Sequence, residues 1–319
     1  MAEAPAARVV TVQAEESARR LDNFLLARLK GVPRTHVYRL IRSGQVRVNS
    51  RRAGPQQRLE TGDQVRIPPV RMATAEAPAA GRPVDAAWIE QRILREDGDL
   101  LVLDKPAGLA VHGGSGVSLG AIELLRLIRP DCRALGLVHR LDRETSGCLL
   151  IAKRESVLRQ LQAQFREGTT TKRYLALLHG RLGRSGRTVD AALLTSERRG
   201  GERHVRVDPA GKPSVTRFDI EERFGELTLS RVTLLTGRTH QIRVHAAHIG
   251  APVAGDARYG LIPEPLDTAV GLHRLFLHAA TLGFDAPRGA GRVEVSSPLP
   301  TELADCLAKL RKRQKTATP

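Results

Sequence analysis

Leu21, Phe24, Leu25 and Leu29 recur at three- and four-residue spacing, the period of a helix that buries one stripe. Gly31-Val32-Pro33 interrupts the stripe. Val37, Leu40 and Ile41 restart it, and Gly44 is placed to end the second helix in a left-handed conformation. Beyond it Val46 and Val48 alternate, Asn49 to Arg52 reads as a turn, and Val65 and Ile67 alternate again before Pro68 and Pro69. The pattern predicts a small α+β module over residues 16–70. Met72 to Pro83 is rich in Ala, Pro, Gly and Glu without a period, so 71–87 is expected to be a flexible linker.

A second domain is expected over 88–310. Apolar runs at Leu100–Leu103, Leu149–Ala152, Tyr174–His179 and Leu227–Leu235 predict strands. Leu119–Ile128, Ser156–Phe165 and Thr239–Ile249 predict helices. The two types do not alternate strictly, which favours α+β with a mixed, mainly antiparallel sheet over a doubly wound fold. Residues 311–319 form a basic tail. Lys309 to Lys315 holds five basic residues in seven and reads as a fraying helix end.

Charge adds a partner to this outline. Of 319 residues, 51 are Lys or Arg against 34 Asp or Glu, a formal net charge of +17. Such a surplus points to a polyanion, because neutralised phosphates release condensed counterions. The first module is the most basic. From Ala18 to Val70 it carries 12 Lys or Arg and only Asp22, Glu60 and Asp63 as acids. Arg34, Tyr38 and Arg42 fall on one face of the second helix. Arg34, Arg39, Arg42, Arg47, Arg51 and Arg52 are the candidate nucleic-acid contacts. The same face would otherwise merely solvate the helix.

Three cysteines without a Cys-x-x-Cys pair argue against a zinc knuckle or a thioredoxin-like motif. They suit a reducing cytoplasm, and cytoplasmic localisation is expected. No apolar run approaches the roughly 20 residues of a membrane span. No phosphate-binding glycine loop with its following lysine is present, nor a dinucleotide fingerprint, so no cofactor is expected.

Candidate chemistry concentrates in Gly136-Leu-Val-His-Arg-Leu-Asp-Arg-Glu-Thr-Ser-Gly147, directly before the apolar strand Cys148–Ala152. Asp142 would sit on a loop held by a rigid element, with Arg140 and Arg143 favouring its ionised form. A loop with local ion pairs is the bland alternative. A second cluster is Thr236-Gly-Arg-Thr-His-Gln-Ile-Arg-Val-His-Ala-Ala-His248, with Thr239 as the expected helix cap and Arg243 one turn on. His240, His245 and His248 invite a zinc reading. They lack the partner residues of a metalloprotease helix, so capping and packing histidines are favoured and no metal is expected. Tyr174 opens a strand in Thr171-Lys-Arg-Tyr-Leu-Ala-Leu177, where a tyrosine ordinarily packs. On residues alone, a non-catalytic RNA-binding or ribosome-assembly protein and a metal-dependent nuclease remain alternatives.

The order of two helices followed by "SGQVRVN" and "LETGDQVRI" resembles the S4 RNA-binding domain, an α-L-like module. "HRLDRETSG", "KRYLAL" and "TGRTHQIRVH", with "LDKPAGLAVHGG" and "RYG…RLFLHAATLGF", resemble the signature set of the RluA-type pseudouridine synthases from Leu94 to about Leu310. The resemblance implies a cofactor-free enzyme that flips a uridine out of the RNA, breaks its N1–C1′ bond and rejoins the uracil through C5. Its catalytic aspartate would be Asp142, acting on the ribose. Arg243 would pair with it. Tyr174 would stack on the base and take part in removing the C5 proton, and Arg140 would help displace the base. The implied partner is 23S ribosomal RNA or a large-subunit assembly intermediate, met by a monomer without a membrane anchor.

Overall fold

The computed structural model describes residues 7–29, 32, 34–70, 86–113, 119–132, 134–183, 185–197, 203–260, 270–289 and 291–317. The chain divides between Val84 and Asp85 into two compact units. The expected linker falls mostly on 71–85, outside the described residues.

In the first unit, helices α1 (Leu21–Arg28) and α2 (Arg34–Arg42) pack on a four-stranded antiparallel sheet. Its strands are β1 (Arg8–Thr11), β2 (Arg47–Val48), β3 (Arg51–Arg52) and β4 (Gln64–Ile67), in the order β1-β4-β2-β3. The predicted stripes meet: Leu21, Phe24 and Leu25 share one core with Val37, Leu40 and Ile41. Two details differ from expectation. The turn is only Asn49-Ser50, both at positive φ (47° and 64°), the hairpin geometry that asparagine tolerates. Arg51 and Arg52 therefore belong to a strand. β1 was not expected, because its residues are mostly exposed and it is held by pairing with β4 rather than by a buried stripe.

The second unit is built on a ten-stranded sheet. Its strands are β5 (Ile93–Glu96), β6 (Leu100–Lys105), β7 (Gly136–Leu137), β8 (Ser146–Ala152), β9 (Thr171–His179), β10 (Arg187–Asp190), β13 (Val215–Phe224), β14 (Leu227–Leu234), β15 (Leu277–Asp285) and β16 (Arg292–Ser296). The main path runs β10-β13-β14-β9-β15-β8-β6-β5, with β16 on β15 and β7 on β8. The β8–β15 pairing is parallel and the other described pairs are antiparallel, so the sheet is mixed, as expected. A separate hairpin joins β11 (Leu193–Glu197) and β12 (Arg203–Val207).

Helices cover both faces. α3 (Ala121–Ile128) and α5 (Gln241–His248) contribute Leu125 and Ile242 to a core that also holds Leu149, Ile151 and Tyr174. α4 (Glu155–Glu167) adds Val157 and Leu161 to a second cluster with Leu150 and Phe284. All seven residues of β8 are buried, the pattern of a central strand covered on both sides. Gly147, the second residue of that strand, has φ 110°, and a Cβ there would lie 2.3 Å from the Ala279 carbonyl oxygen of β15. The last helix, α6, runs Thr301–Ala317, past the expected boundary at 310. Leu303, Leu307 and Leu310 anchor it in the core, and beyond them Arg311 pairs with Glu222 at 2.7 Å.

Candidate active site

Asp142 lies in the loop between β7 and β8, as the hydrophobic pattern predicts. The loop is tied down at both ends. The Thr145 amide donates to the Asp142 carbonyl at 3.1 Å. The fully buried Lys105, at the end of β6, donates to the carbonyls of Pro106 (2.8 Å), Leu109 (2.8 Å) and Arg143 (3.0 Å). One ammonium thus joins the turn after β6 to the loop that carries Asp142. Burial lowers the Lys105 pKa to about 7, against the opposing pull of Glu144. At the C-terminal end Arg274 donates to Ser146 Oγ at 2.9 Å, and Ser146 Oγ lies 3.0 Å from Nδ1 of buried His278. His278 Nε2 faces the Ser297 carbonyl at 3.2 Å, which can only accept. Nε2 therefore carries the proton and Nδ1 accepts from Ser146.

The charges that face Asp142 are not those adjacent in sequence. Arg143 turns away, donating to the Gly108 carbonyl at 2.9 Å and lying 3.8 Å from Glu144. Arg140 is exposed and lines the pocket, with no ion pair to Asp142 among the described residues. Arg243, from α5, places Nη1 3.9 Å from Asp142 Oδ2, and His240 places Nε2 3.9 Å from Oδ1.

Both neighbours are held by the segment after α5. Arg243 Nε and Nη2 donate to the two oxygens of Asp256 at 2.7 and 2.6 Å. Asp256 is 3% exposed and also accepts the amides of Arg258 (2.9 Å) and Tyr259 (3.1 Å). Burial alone would raise its pKa, but the Arg243 guanidinium and these amides hold it below the usual carboxylate range. The Tyr259 hydroxyl lies 2.7 Å from His240 Nδ1 and accepts the Val205 amide of β12 at 3.3 Å. Burial raises the Tyr259 pKa and lowers that of His240, so a phenol meets a neutral imidazole. With its oxygen already accepting, the phenol donates to Nδ1, which leaves the proton on Nε2, facing Asp142.

His240, not Thr239, occupies the N-cap of α5, in a left-handed conformation (φ 53°) and without a side-chain cap. Gln241, the first residue of the helix, instead ties down the segment before it. Its Oε1 accepts the Arg238 amide at 2.9 Å and the Thr236 hydroxyl at 2.8 Å. His245 is buried between Thr216 Oγ1 and the Ala191 carbonyl, each at 2.9 Å, a packing role.

These groups open onto a pocket of about 510 Å³ whose floor includes Asp142, Tyr174, His240 and Arg243. Tyr174 is 9% exposed. Burial, with the Asp142 charge adding to it, raises its pKa and keeps it a phenol. His139 stacks on Phe165 with ring centres 4.7 Å apart, and its Nε2 accepts the Leu150 amide at 3.0 Å. In the first unit Arg39, Arg42, Arg47, Arg51 and Arg52 are exposed, while the Arg34 side chain lies outside the described residues. Tyr38 is engaged in the fold, donating to buried Asp22 at 2.7 Å. Sequence reading missed Lys105, Asp256 and Tyr259. The clue available was an acid and a tyrosine between Gly255 and Gly260, directly after the helix that carries Arg243.

The fold and site define a class. The RNA pseudouridylate synthase family model matches residues 99–248, and the S4 domain model matches residues 19–65. The chain belongs to the RNA pseudouridylate synthase family. Among its relatives, ribosomal large subunit pseudouridine synthase C of Yersinia pestis is 50% identical over 311 residues, covering 97% of each chain. The Escherichia coli (strain K12) protein of that name is 50% identical over 314 residues, covering 97% of this chain and 98% of its own. The solved structure of human RNA pseudouridylate synthase domain containing 4 aligns with a TM-score of 0.60 at 25% identity, covering 71% of this chain and 95% of that one. No helix among the described residues is long and apolar enough to cross a membrane.

Proposed function

We propose that the chain converts uridines of 23S ribosomal RNA to pseudouridine, with Asp142 as the catalytic carboxylate. The observation that carries this reading is the setting of Asp142. Among the described residues it is the one carboxylate lining a pocket otherwise lined by neutral and cationic side chains, and two groups held by Asp256 and Tyr259 face it. The reaction is an isomerisation. The N1–C1′ bond breaks, the uracil turns, C5 bonds to C1′, and C5 loses the proton that N1 gains.

Asp142 acts on the ribose, as a nucleophile at C1′ or as a base at C2′. Either role needs the ionised form, and the Arg243 guanidinium stands 3.9 Å from the carboxylate. A phenol that resists ionisation suits Tyr174 to stacking on the uracil rather than to removing the C5 proton as a phenolate. Arg140, which lines the pocket and is exposed, fills the stack as the base leaves it. The exposed arginines of the first unit supply sequence-independent grip on phosphates.

The test is pseudouridine mapping on a 23S transcript treated with wild-type protein and with Asp142→Asn. The expected outcome is modification by the wild type and none by the variant, with RNA binding retained. Modification by Asp142→Asn at the wild-type rate would remove the proposal.

A further inference from the structure

Lys172 is a pocket cation with no ion pair among the described residues. Lys172 precedes Tyr174 by two residues on β9, so both side chains leave the strand on the same face, about 7 Å apart. Lys172 is 7% exposed and lines the pocket. Among the described residues no carboxylate or carbonyl accepts from its ammonium. Its ring neighbour is Phe165, with the nitrogen 5.9 Å from the ring centre. An ammonium largely withdrawn from bulk water gains from a charged acceptor that completes its shell. Burial, reinforced by the charge of Arg238, lowers its pKa.

The surroundings deepen the imbalance. Among the described residues the pocket is lined by Arg140, Arg166, Lys172, Arg238 and Arg243 against Asp142 as the only acid. Arg243 is already neutralised by Asp256. Arg238 spends its Nε on the Pro213 carbonyl, a neutral acceptor, at 3.3 Å. The end of the pocket around Lys172 is therefore positive and unfilled by protein.

We propose that Lys172, with Arg166 and Arg238, is a phosphate-binding subsite for the RNA backbone beside the uridine that lies against Tyr174. This rests on the functional reading above and names what that pocket holds besides the base. A phosphate lies one sugar away from its base, and the two-residue step from Tyr174 to Lys172 spans a comparable distance. A uracil carbonyl would offer Lys172 a hydrogen bond but no charge, leaving the repulsion from Arg238 in place. A phosphate relieves both.

The experiment uses the full chain and a 23S transcript. Binding is measured by filter retention over a range of salt for wild type, Lys172→Met and Lys172→Arg, alongside pseudouridine formation. The slope of log Kd against log salt is expected to become shallower by about 0.7 in Lys172→Met, one phosphate's worth on a single strand, and to be restored in Lys172→Arg. Wild type alone supplies a second measurement. Uridine 3′- or 5′-monophosphate should inhibit more strongly than uridine. An unchanged slope, or equal inhibition by nucleoside and nucleotides, overturns the subsite. So does a loss of activity in Lys172→Met without a change in slope, which would put the lysine on the uracil or in the fold. A wild type that forms no pseudouridine yet shows the slope change would retain the phosphate site and remove the functional reading.

Discussion

Arg243 is bound edge-on by Asp256, with Nε and Nη2 at 2.7 and 2.6 Å, while its remaining nitrogen Nη1 stands 3.9 Å from Asp142. One planar guanidinium thus spans two carboxylates of different standing. Asp256 is sealed and fixed, and Asp142 opens to the pocket. A fork that is pre-set by one acid aims its third corner at the other. Asp256→Asn should therefore lower kcat for pseudouridine formation by about a hundredfold, the scale of a misplaced catalytic group, and leave the Kd for RNA near the wild-type value. It should also cost about 3–5 kcal/mol of stability, because a buried guanidinium loses its counter-charge. Denaturant titration and single-turnover kinetics check the two halves separately.

The Tyr259–His240 pair makes a spectroscopic prediction. The 15N shifts of His240 should report the Nε2–H tautomer in the wild type and a mixture in Tyr259→Phe. The rate should fall about two- to tenfold, the worth of one neutral hydrogen bond. An unaltered tautomer signature in the variant would separate His240 from Tyr259.

The exposed side chains of Arg39, Arg42 and Arg51 make no hydrogen bond or ion pair among the described residues, so their charge is free for RNA. Changing all three to alanine should make the salt dependence of RNA binding shallower by about 2, with thermal stability unchanged. Salt titrations of wild type and variant, run with thermal melts, check both.

His139 gives a pH dependence with a definite sign. Burial lowers its pKa to about 4, against 6.5 for the unperturbed group, so between these values the unfolded chain binds the proton more readily. Stability from this residue is complete above pH 6.5 and is lost as pH falls towards 4, about 1.4 kcal/mol per pH unit within the window. The melting curve of His139→Gln should depend less on pH over that range than that of the wild type.

Much of this was legible in the residues, for reasons that vary by element. α1 and α2 were readable because each buries one stripe against the other, so spacing alone encodes them. β8 was readable because both its faces are covered and its whole sequence is apolar. β1 was not, since its place is set by backbone pairing to β4. At the site, Asp142, Tyr174 and Arg243 converge on one pocket. Expectation failed where adjacency stood in for proximity. Arg143 follows Asp142 directly yet points to Gly108, while Asp256, 114 residues further on, governs the arginine that matters. The His240 cap was hidden because a left-handed histidine is a conformation that tertiary contacts impose and propensity does not announce.

The order of strands has a consequence for when the protein can work. β8, which follows Asp142, and β9, which carries Tyr174, are not neighbours. β15, formed by Leu277–Asp285, lies between them. The two sides of the pocket stay unjoined until a segment near the C-terminus has been made and has threaded into the gap, with Asp256 emerging shortly before it. Such non-local closure is slow and late in folding. A nascent or C-terminally clipped chain would carry its basic first unit long before it carried a working pocket.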